Sequence, residues 1–164
     1  MRHYIKMLLW VGGLIGCILT MGCEVSPNEL PATPLPTQKS TMKTLSIYTI
    51  DSDTMTLVPV TVKKNTKKLT PEYITSLVED SLDDETVRVY SVEQEQDRLI
   101  LSFYRDGKPM INCSKKMENL ILDCFANSLL DNIKSCKKII FRCEDEPYKS
   151  EHYSFKINEV YASE

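Results

Sequence analysis

The chain has 164 residues, a net charge of −3 and 26% charged residues with both signs interleaved. These values indicate one soluble domain, and they argue against the clustered basic face of a nucleic-acid-binding protein. Beyond Cys23 the sequence keeps a single glycine, Gly107, and a single histidine, His152. Glycine-rich phosphate loops are therefore excluded, and any histidine triad or histidine metal cluster would have to include His152.

The first 23 residues have the pattern of an export signal that ends at a cysteine. A basic start precedes an apolar run that ends at Met21, and Gly22 and Cys23 follow. This order defines a signal peptide, and a cysteine directly after the small residue resembles the lipobox of bacterial lipoproteins. The resemblance implies cleavage after residue 22 and lipidation of Cys23, although Thr20 stands where Leu is usual. The alternatives are a transmembrane anchor, for which the run is short, or ordinary cleavage beside an incidental cysteine.

The segment 23–42 is predicted to be a tether. Pro27, Pro31, Pro34 and Pro36 are spaced among Ser, Thr, Asn and Gln. Proline favours an extended backbone, so such a segment is a semi-rigid spacer. We therefore expect a domain that is held to the membrane by an N-terminal lipid, on the extracytoplasmic face.

The folded domain is predicted over residues 43–164, and it begins with two strands. Apolar and polar residues alternate over 45–50, a run of short polar residues at 51–54 predicts a turn, and a second strand is predicted over 55–63. Pro59 lies in that second strand. Because proline has no N–H to donate, the strand is expected at the edge of a sheet.

A helix and a strand pair are predicted next. Thr70 is a suitable N-cap and Pro71 fits the first helical turn, so a helix begins here and ends at the acidic run 83–85. Alternating residues predict strands over 87–94 and 98–104, joined by a short polar turn.

The last third of the chain predicts a longer helix and two strands. Ser114 caps a helix whose apolar residues recur at helical spacing, and strands follow over 137–143 and 153–157. An acidic turn at 144–147 separates these strands. The element order predicts an α+β fold, with a mostly antiparallel sheet and two helices packed on one face.

The order of these segments resembles the GerMN domain family, which is named for a lipoprotein of spore formation and germination. The resemblance rests on Leu-Ser-Ile-Tyr at 45–48, Leu-Val-Pro-Val at 57–60, the strand 99–103, and the helix and strand over 118–141. It covers residues 45–144, most of the folded chain. Order and spacing carry it rather than any single motif.

The resemblance implies a binding or assembly module without catalytic residues or cofactors, linked to sporulation or germination. Its fold would be similar to the ring-building modules of secretion-type channels, so envelope protein partners and self-association are expected. The chain departs from the family pattern in the acidic run 83–85, where a Gly-Pro is common, and in Ala-Asn-Ser-Leu at 126–129, where Asn-Thr-Leu is common. The four cysteines of the domain are not part of the pattern either. A generic envelope lipoprotein that shares the fold is the alternative.

Four cysteines lie in the predicted domain, at Cys113, Cys124, Cys136 and Cys143. Cysteines separated by most of a helix are too far apart to bridge, which excludes Cys113 from pairing with Cys124 or Cys136. The strand after the helix returns antiparallel to it, so Cys143 is able to reach Cys124 or Cys113. A Cys124–Cys143 disulfide is the favoured pairing, and four free thiols are the alternative.

Other candidate chemistry in the sequence is sparse. A thiol or hydrolytic enzyme would pair His152 with Cys113 or Cys143. A metal site would need more ligands at zinc spacing than the sequence offers, so no metal is predicted. Asp51 and Asp53 favour a turn over a calcium loop, because the glycine and final glutamate of such a loop are absent. The lysines of 63–68 indicate a solvated loop or contact with anionic lipid or wall polymer.

Overall fold

The computed structural model describes residues 42–65 and 69–163, all of which lie in the compact unit Gln38–Glu164. Cys23 and the predicted signal peptide lie outside the described residues. The elements, in chain order, are β1 (Met42–Asp51), β2 (Thr56–Asn65), α1 (Pro71–Leu82), β3 (Val89–Glu95), β4 (Arg98–Phe103), α2 (Lys115–Asn132), β5 (Lys138–Cys143), β6 (Glu146–Pro147) and β7 (Val160–Ser163). None of the helices in this part of the chain is long and apolar enough to cross a membrane.

β1 and β2 form a separate two-stranded antiparallel sheet. The turn between them is an Asx-turn, as predicted, because the side chain of Asp51 accepts hydrogen bonds from the backbone N–H groups of Asp53 (2.9 Å) and Thr54 (3.0 Å). β2 has no second neighbour in the described chain, which confirms the prediction of an edge strand from Pro59.

The other five strands form one sheet in the order β3-β4-β5-β6, with β7 paired to β5. Neighbouring strands are antiparallel except β4 and β5, which are parallel and joined through α2. The strand predicted over 153–157 was wrong, since the last strand is β7. Phe155 instead donates its N–H to the carbonyl of Tyr148 at 2.9 Å and stacks on that ring, so residues 148–155 close a local loop rather than extend the sheet.

Both helices begin at the predicted caps. The side-chain oxygen of Thr70 accepts from the N–H of Tyr73 at the start of α1, and that of Ser114 accepts from the N–H of Met117 at the start of α2. α1 ends at Leu82, and its C-cap residue, Asp83, has a left-handed backbone with φ of 49°. These ends were predictable because capping depends on residues that are close in sequence.

One apolar core joins the hairpin, the helices and one face of the five-stranded sheet. Phe103 of β4 meets Phe125 of α2 edge-to-face, with ring centroids 5.3 Å apart. The fold is therefore α+β, as predicted, with the helices packed on one face of the larger sheet and the hairpin as an additional sheet. The largest core side chains from these elements are Ile47, Ile74, Leu99, Leu101, Phe103, Ile121, Leu122, Phe125, Leu129, Phe141 and Tyr148.

Candidate functional site

The residues that could carry chemistry meet where the start of α2 contacts the C-terminal segment. Tyr148, which follows β6, is fully buried, and its ring stacks on Phe155 with centroids 5.1 Å apart. Farther along, the Tyr161 hydroxyl donates to the carboxylate of Asp123 in α2 at 2.8 Å. The segment is thereby attached to α2 by aromatic packing and by phenol–carboxylate hydrogen bonds.

A buried carboxylate lies at the centre of this contact. Glu118 in the first turn of α2 is fully buried, and its Oε1 accepts a hydrogen bond from the Tyr148 hydroxyl at 2.7 Å. Its Oε2 finds no donor among the described residues. Burial and the neighbouring Glu118 both raise the pKa of Tyr148 above the ordinary value for a phenol. Tyr148 therefore stays a neutral hydrogen-bond donor to Glu118.

The structure brings Cys113 and His152 together, but not as a nucleophile and its base. The His152 Nε2 lies 2.9 Å from the backbone oxygen of Cys113, so this nitrogen donates to a carbonyl. The Cys113 thiol donates instead to the Ser114 carbonyl at 3.4 Å. Burial, with a contribution from Glu118, raises the pKa of Cys113 to about 11. At neutral pH the thiol is protonated, which makes it a poor nucleophile.

The remaining cysteines lie in the core. Cys124, Cys136 and Cys143 are buried, and all four described cysteines are free thiols. Burial raises the pKa of Cys124 to about 12, and it raises the pKa of Cys136 and Cys143 above the usual range as well. The Cys124–Cys143 bond is not formed in this structure, so the pairing stays a prediction for oxidised protein. Mass spectrometry after alkylation without reduction checks it, because four alkylated thiols in this domain would contradict a bridge.

Asp51, Asp53 and Cys23 are the remaining residues that the sequence singled out. Asp51 and Asp53 form the turn already described, and no three His, Cys, Asp or Glu side chains within 42–65 and 69–163 are grouped as metal ligands. The lipidation site, Cys23, lies outside the described residues and stays a prediction.

α2 also covers the free edge of β1, which is the inner edge of the hairpin. The side-chain oxygen of Asn132 accepts from the N–H of Ser46 at 3.2 Å, and its amide nitrogen donates to the Ser46 carbonyl at 2.7 Å. The Ser128 hydroxyl accepts from the N–H of Tyr48 at 2.9 Å. Asn132 thus bonds β1 as a neighbouring strand would, and this edge is closed to pairing with another chain.

The outer edge of β2 is different, because no described strand pairs with it. Tyr48 faces Pro59 across the hairpin, and the N–H of Tyr48 points to α2 rather than to β2. The Tyr48–Pro59 pair is therefore a non-hydrogen-bonded pair, and the missing N–H of Pro59 falls on the outer edge. This edge lacks one donor, which makes it a poor template for strand addition.

Sequence reasoning missed Glu118 and Tyr148. A signal for Glu118 was present, because Glu118, Ile121 and Phe125 recur at i, i+3 and i+7 and so place a carboxylate on the apolar face of α2. No comparable signal identified Tyr148. It follows a polar turn and is buried only because the C-terminal segment folds back on α2.

Comparisons with known proteins identify the fold but no close relative. No family model matches the chain, and no curated protein matches it in sequence. Among solved structures, the chain is similar to the tandem GerMN domains of the sporulation protein GerM from Bacillus subtilis, with a TM-score of 0.50 and 15% identity over 82% of this chain and 50% of that one. It is also similar to a candidate lipoprotein from Clostridium perfringens, with a TM-score of 0.46 and 14% identity over 73% of this chain and 87% of that one.

The chain contains a GerMN-like domain, as its strand and helix order predicted. It spans half the length of the tandem structure. At 15% identity the likeness concerns the fold.

Proposed function

We propose that this GerMN-like domain is a lipid-anchored, extracytoplasmic binding or assembly module without enzymatic activity, which serves sporulation or spore germination. The observation that carries the proposal is the fold, which is similar to the tandem GerMN domains of a sporulation protein. The lipobox-like sequence that ends at Cys23, followed by a proline-rich spacer, supports export and attachment to a membrane.

Lipidation is tested by replacing the proposed acceptor. Cys23→Ala should abolish incorporation of labelled fatty acid and release the protein from the membrane fraction in the native host. Cys17→Ala is the companion variant, because Cys17 also lies in the predicted signal and follows Leu14-Ile15-Gly16, so it tests whether this second cysteine accepts the lipid instead. Equal labelling of the Cys23→Ala protein and the wild-type protein would rule out Cys23 as the acceptor, and labelling that is lost only in Cys17→Ala would assign the lipid to Cys17.

The absence of enzymatic activity is supported by the geometry around Cys113 and His152. The imidazole bonds a carbonyl rather than the thiol, and the raised pKa keeps that thiol protonated. A Cys113→Ala, Cys143→Ala, His152→Ala triple variant should therefore retain partner binding and its cellular role. Complete loss of the role in a folded triple variant would favour the alternative of a thiol-dependent enzyme.

The assembly role predicts protein contacts in the envelope, with a partner or between copies. Sedimentation of the soluble chain at high concentration should detect association, while a monomer throughout would count against self-assembly. The sporulation link is tested by deleting the gene. A defect confined to spore formation or germination supports the link, and expression with a defect in vegetative cells would favour a generic envelope lipoprotein that shares the fold.

A further inference from the structure

The hairpin gives the domain two distinguishable ends. The tether end is defined here by Met42 and Lys43 at the start of β1 and by Lys63–Asn65 at the end of β2, which lie opposite each other. The turn end is defined by the turn at 51–54. The predicted tether joins the domain at Met42, so the tether end is the one nearest in sequence to the proposed lipid at Cys23.

The tether end is rich in lysines that form no ion pair with any described residue. Lys43 and Lys64 are register partners across the hairpin, and Lys63 is adjacent. Lys134, which follows α2, lines a surface cleft of about 640 Å³ together with Lys43. Asp131 lines the same cleft and accepts a hydrogen bond from the Tyr48 hydroxyl at 2.9 Å. The side chains of Lys63, Lys64 and Lys134 are exposed. Met42 is exposed as well, with 61% of its surface accessible to solvent.

The turn end is acidic. The hairpin turn carries Asp51 and Asp53, and the hydroxyl of Thr49 donates to the Ser81 carbonyl at 2.7 Å, which places the end of α1 beside this turn. The acidic run 83–85 follows directly after α1; its Asp84 is paired with Lys108 at 2.7 Å, whereas the other carboxylates of this end form no ion pair with a described residue. Charge is therefore separated along the hairpin, with cations where the tether enters and carboxylates at the opposite end.

The pairing of Lys43 with Lys64 is unfavourable for the isolated domain. Like charges directly opposite each other on an antiparallel pair repel and destabilise it. Negative charge supplied from outside would relieve that repulsion. The pairing therefore indicates an anionic surface over the tether end, whereas the turn end would be repelled by the same surface.

From these observations we infer that the tether end is a docking surface for the anionic phospholipid headgroups of the membrane. Lys43, Lys63, Lys64 and Lys134 contact the headgroups, and the exposed Met42 lies at the same surface. A bilayer is the occupant that the chain itself brings near, because the tether leads from this end to the proposed lipid anchor. The inference rests on the proposed function, because the proposed lipid anchor is what brings a membrane near the tether end. The charge pattern does not depend on that anchor.

The tether is much longer than the range over which the lysines are attracted to headgroups, so anchoring by itself does not place the domain on the membrane. An extended tether over residues 23–42 reaches about 60 Å at about 3.1 Å per residue. Attraction between the lysines and the headgroups acts only within a Debye length, about 8 Å at physiological salt. Anchoring alone therefore permits a domain far from the bilayer, and the lysines select the state in which the tether end lies on it.

Vesicle binding of unlipidated protein tests the inference independently of the lipid. The protein is the chain 23–164 with Cys23→Ala, which contains the whole compact unit. It should sediment with vesicles of equal parts phosphatidylglycerol and phosphatidylcholine at about 0.1 M salt, where the Debye length is about 10 Å. It should not sediment with pure phosphatidylcholine, and high salt should release it.

The deciding variant is Lys63→Gln, Lys64→Gln, Lys134→Gln, which should weaken vesicle binding on the order of 100-fold, from the usual contribution of each lysine at an anionic surface. The matched control is Lys116→Gln, Lys149→Gln, Lys156→Gln, which makes the same charge change at exposed lysines away from the tether end. The control should bind within a few-fold of the parent protein, and both variants should keep the parent's circular dichroism spectrum.

Equal losses in the two variants would overturn the inference, because they would show a general charge effect. Equal binding to neutral and anionic vesicles would overturn it as well. Capture of a soluble poly(glycerol phosphate) by the lysines without binding to vesicles would assign the surface to a wall polymer instead of a membrane. Failure of Cys23 lipidation would remove the anchor from the proposed function and leave the vesicle result unchanged.

Discussion

β1 and β5 each have a strand edge that the rest of the molecule covers, and they are covered by different means. The edge of β5 is paired with two short pieces of the C-terminal segment, β6 and β7. The edge of β1 is bonded by two side chains of α2, Ser128 and Asn132. Main-chain pairing covers one edge, and side chains that imitate a strand cover the other.

The difference lies in what holds each cover in place. The C-terminal segment is attached through Tyr148, which is fully buried among aromatic rings, so burial of apolar area supplies most of the free energy. The cover over β1 belongs to α2, which the apolar core already holds, so its two side chains add only a few partly buried hydrogen bonds, each of which contributes about 1 kcal/mol. The comparison predicts that breaking the attachment of the C-terminal segment lowers the free energy of unfolding more than removing the hydrogen bonds to β1.

Replacement of Tyr148 should have the largest effect. Tyr148→Ala should reduce the free energy of unfolding by about 3–5 kcal/mol, because it leaves a large cavity and removes the donor to buried Glu118. Tyr148→Phe keeps the ring and should cost about 1–3 kcal/mol for the unpaired carboxylate. Urea unfolding of the chain 23–164 measures both. A Phe variant as unstable as the Ala variant would mean that the hydroxyl, not the ring, holds the segment.

Replacement of Asn132 should have an intermediate effect. Asn132→Ala removes both bonds to Ser46 and should cost about 1–2 kcal/mol, with faster hydrogen exchange at the Ser46 amide. Asn127→Ala is the matched control, since the Asn127 side chain bonds only the Asp123 carbonyl in its own helix. Similar costs for the two variants would show that coverage of the β1 edge is not what Asn132 contributes.

The partly exposed ion pair between Lys108 and Asp84 should contribute less to stability than either of the contacts above. The hydrogen bond from Lys108, with a second from Thr86, lowers the pKa of Asp84 to about 2 from 3.8. The folded state thus favours the carboxylate, so this contribution is present above pH 3.8 and is lost as the pH falls toward 2. Because the pair is partly exposed, Asp84→Asn should cost less than about 1 kcal/mol at neutral pH.

The pH dependence makes that contribution measurable. The difference in unfolding free energy between the wild-type protein and Asp84→Asn should shrink between pH 6 and pH 2. A difference that grows in acid would show that Asp84 is stabilised in its protonated form, against the direction given by Lys108.

Only part of the candidate site was predictable from the sequence. The pairing of His152 with Cys113 was considered from residue type alone, and the structure places them together through a backbone carbonyl that no sequence pattern reveals. The role of Asn132 was also hidden, because an asparagine near a helix end predicts a cap and not a bond to a distant strand. Such contacts join residues far apart in the chain.

The sequence by itself determined the features that depend on neighbouring residues. The caps at Thr70 and Ser114, the Asx-turn at Asp51 and the edge position of Pro59 follow from local hydrogen bonding and the missing proline N–H. The export signal and tether are predicted on the same local grounds. Their physics acts over a few residues, so a linear pattern is sufficient.

The tertiary structure alone decided the arrangement of the parts. It placed β4 and β5 parallel, separated the hairpin from the larger sheet, and folded the C-terminal segment back so that Tyr148 meets Glu118. It also gathered Lys43, Lys64 and Lys134 at one end of the domain. These features depend on which surfaces exclude water together, and that choice is made by the whole chain at once.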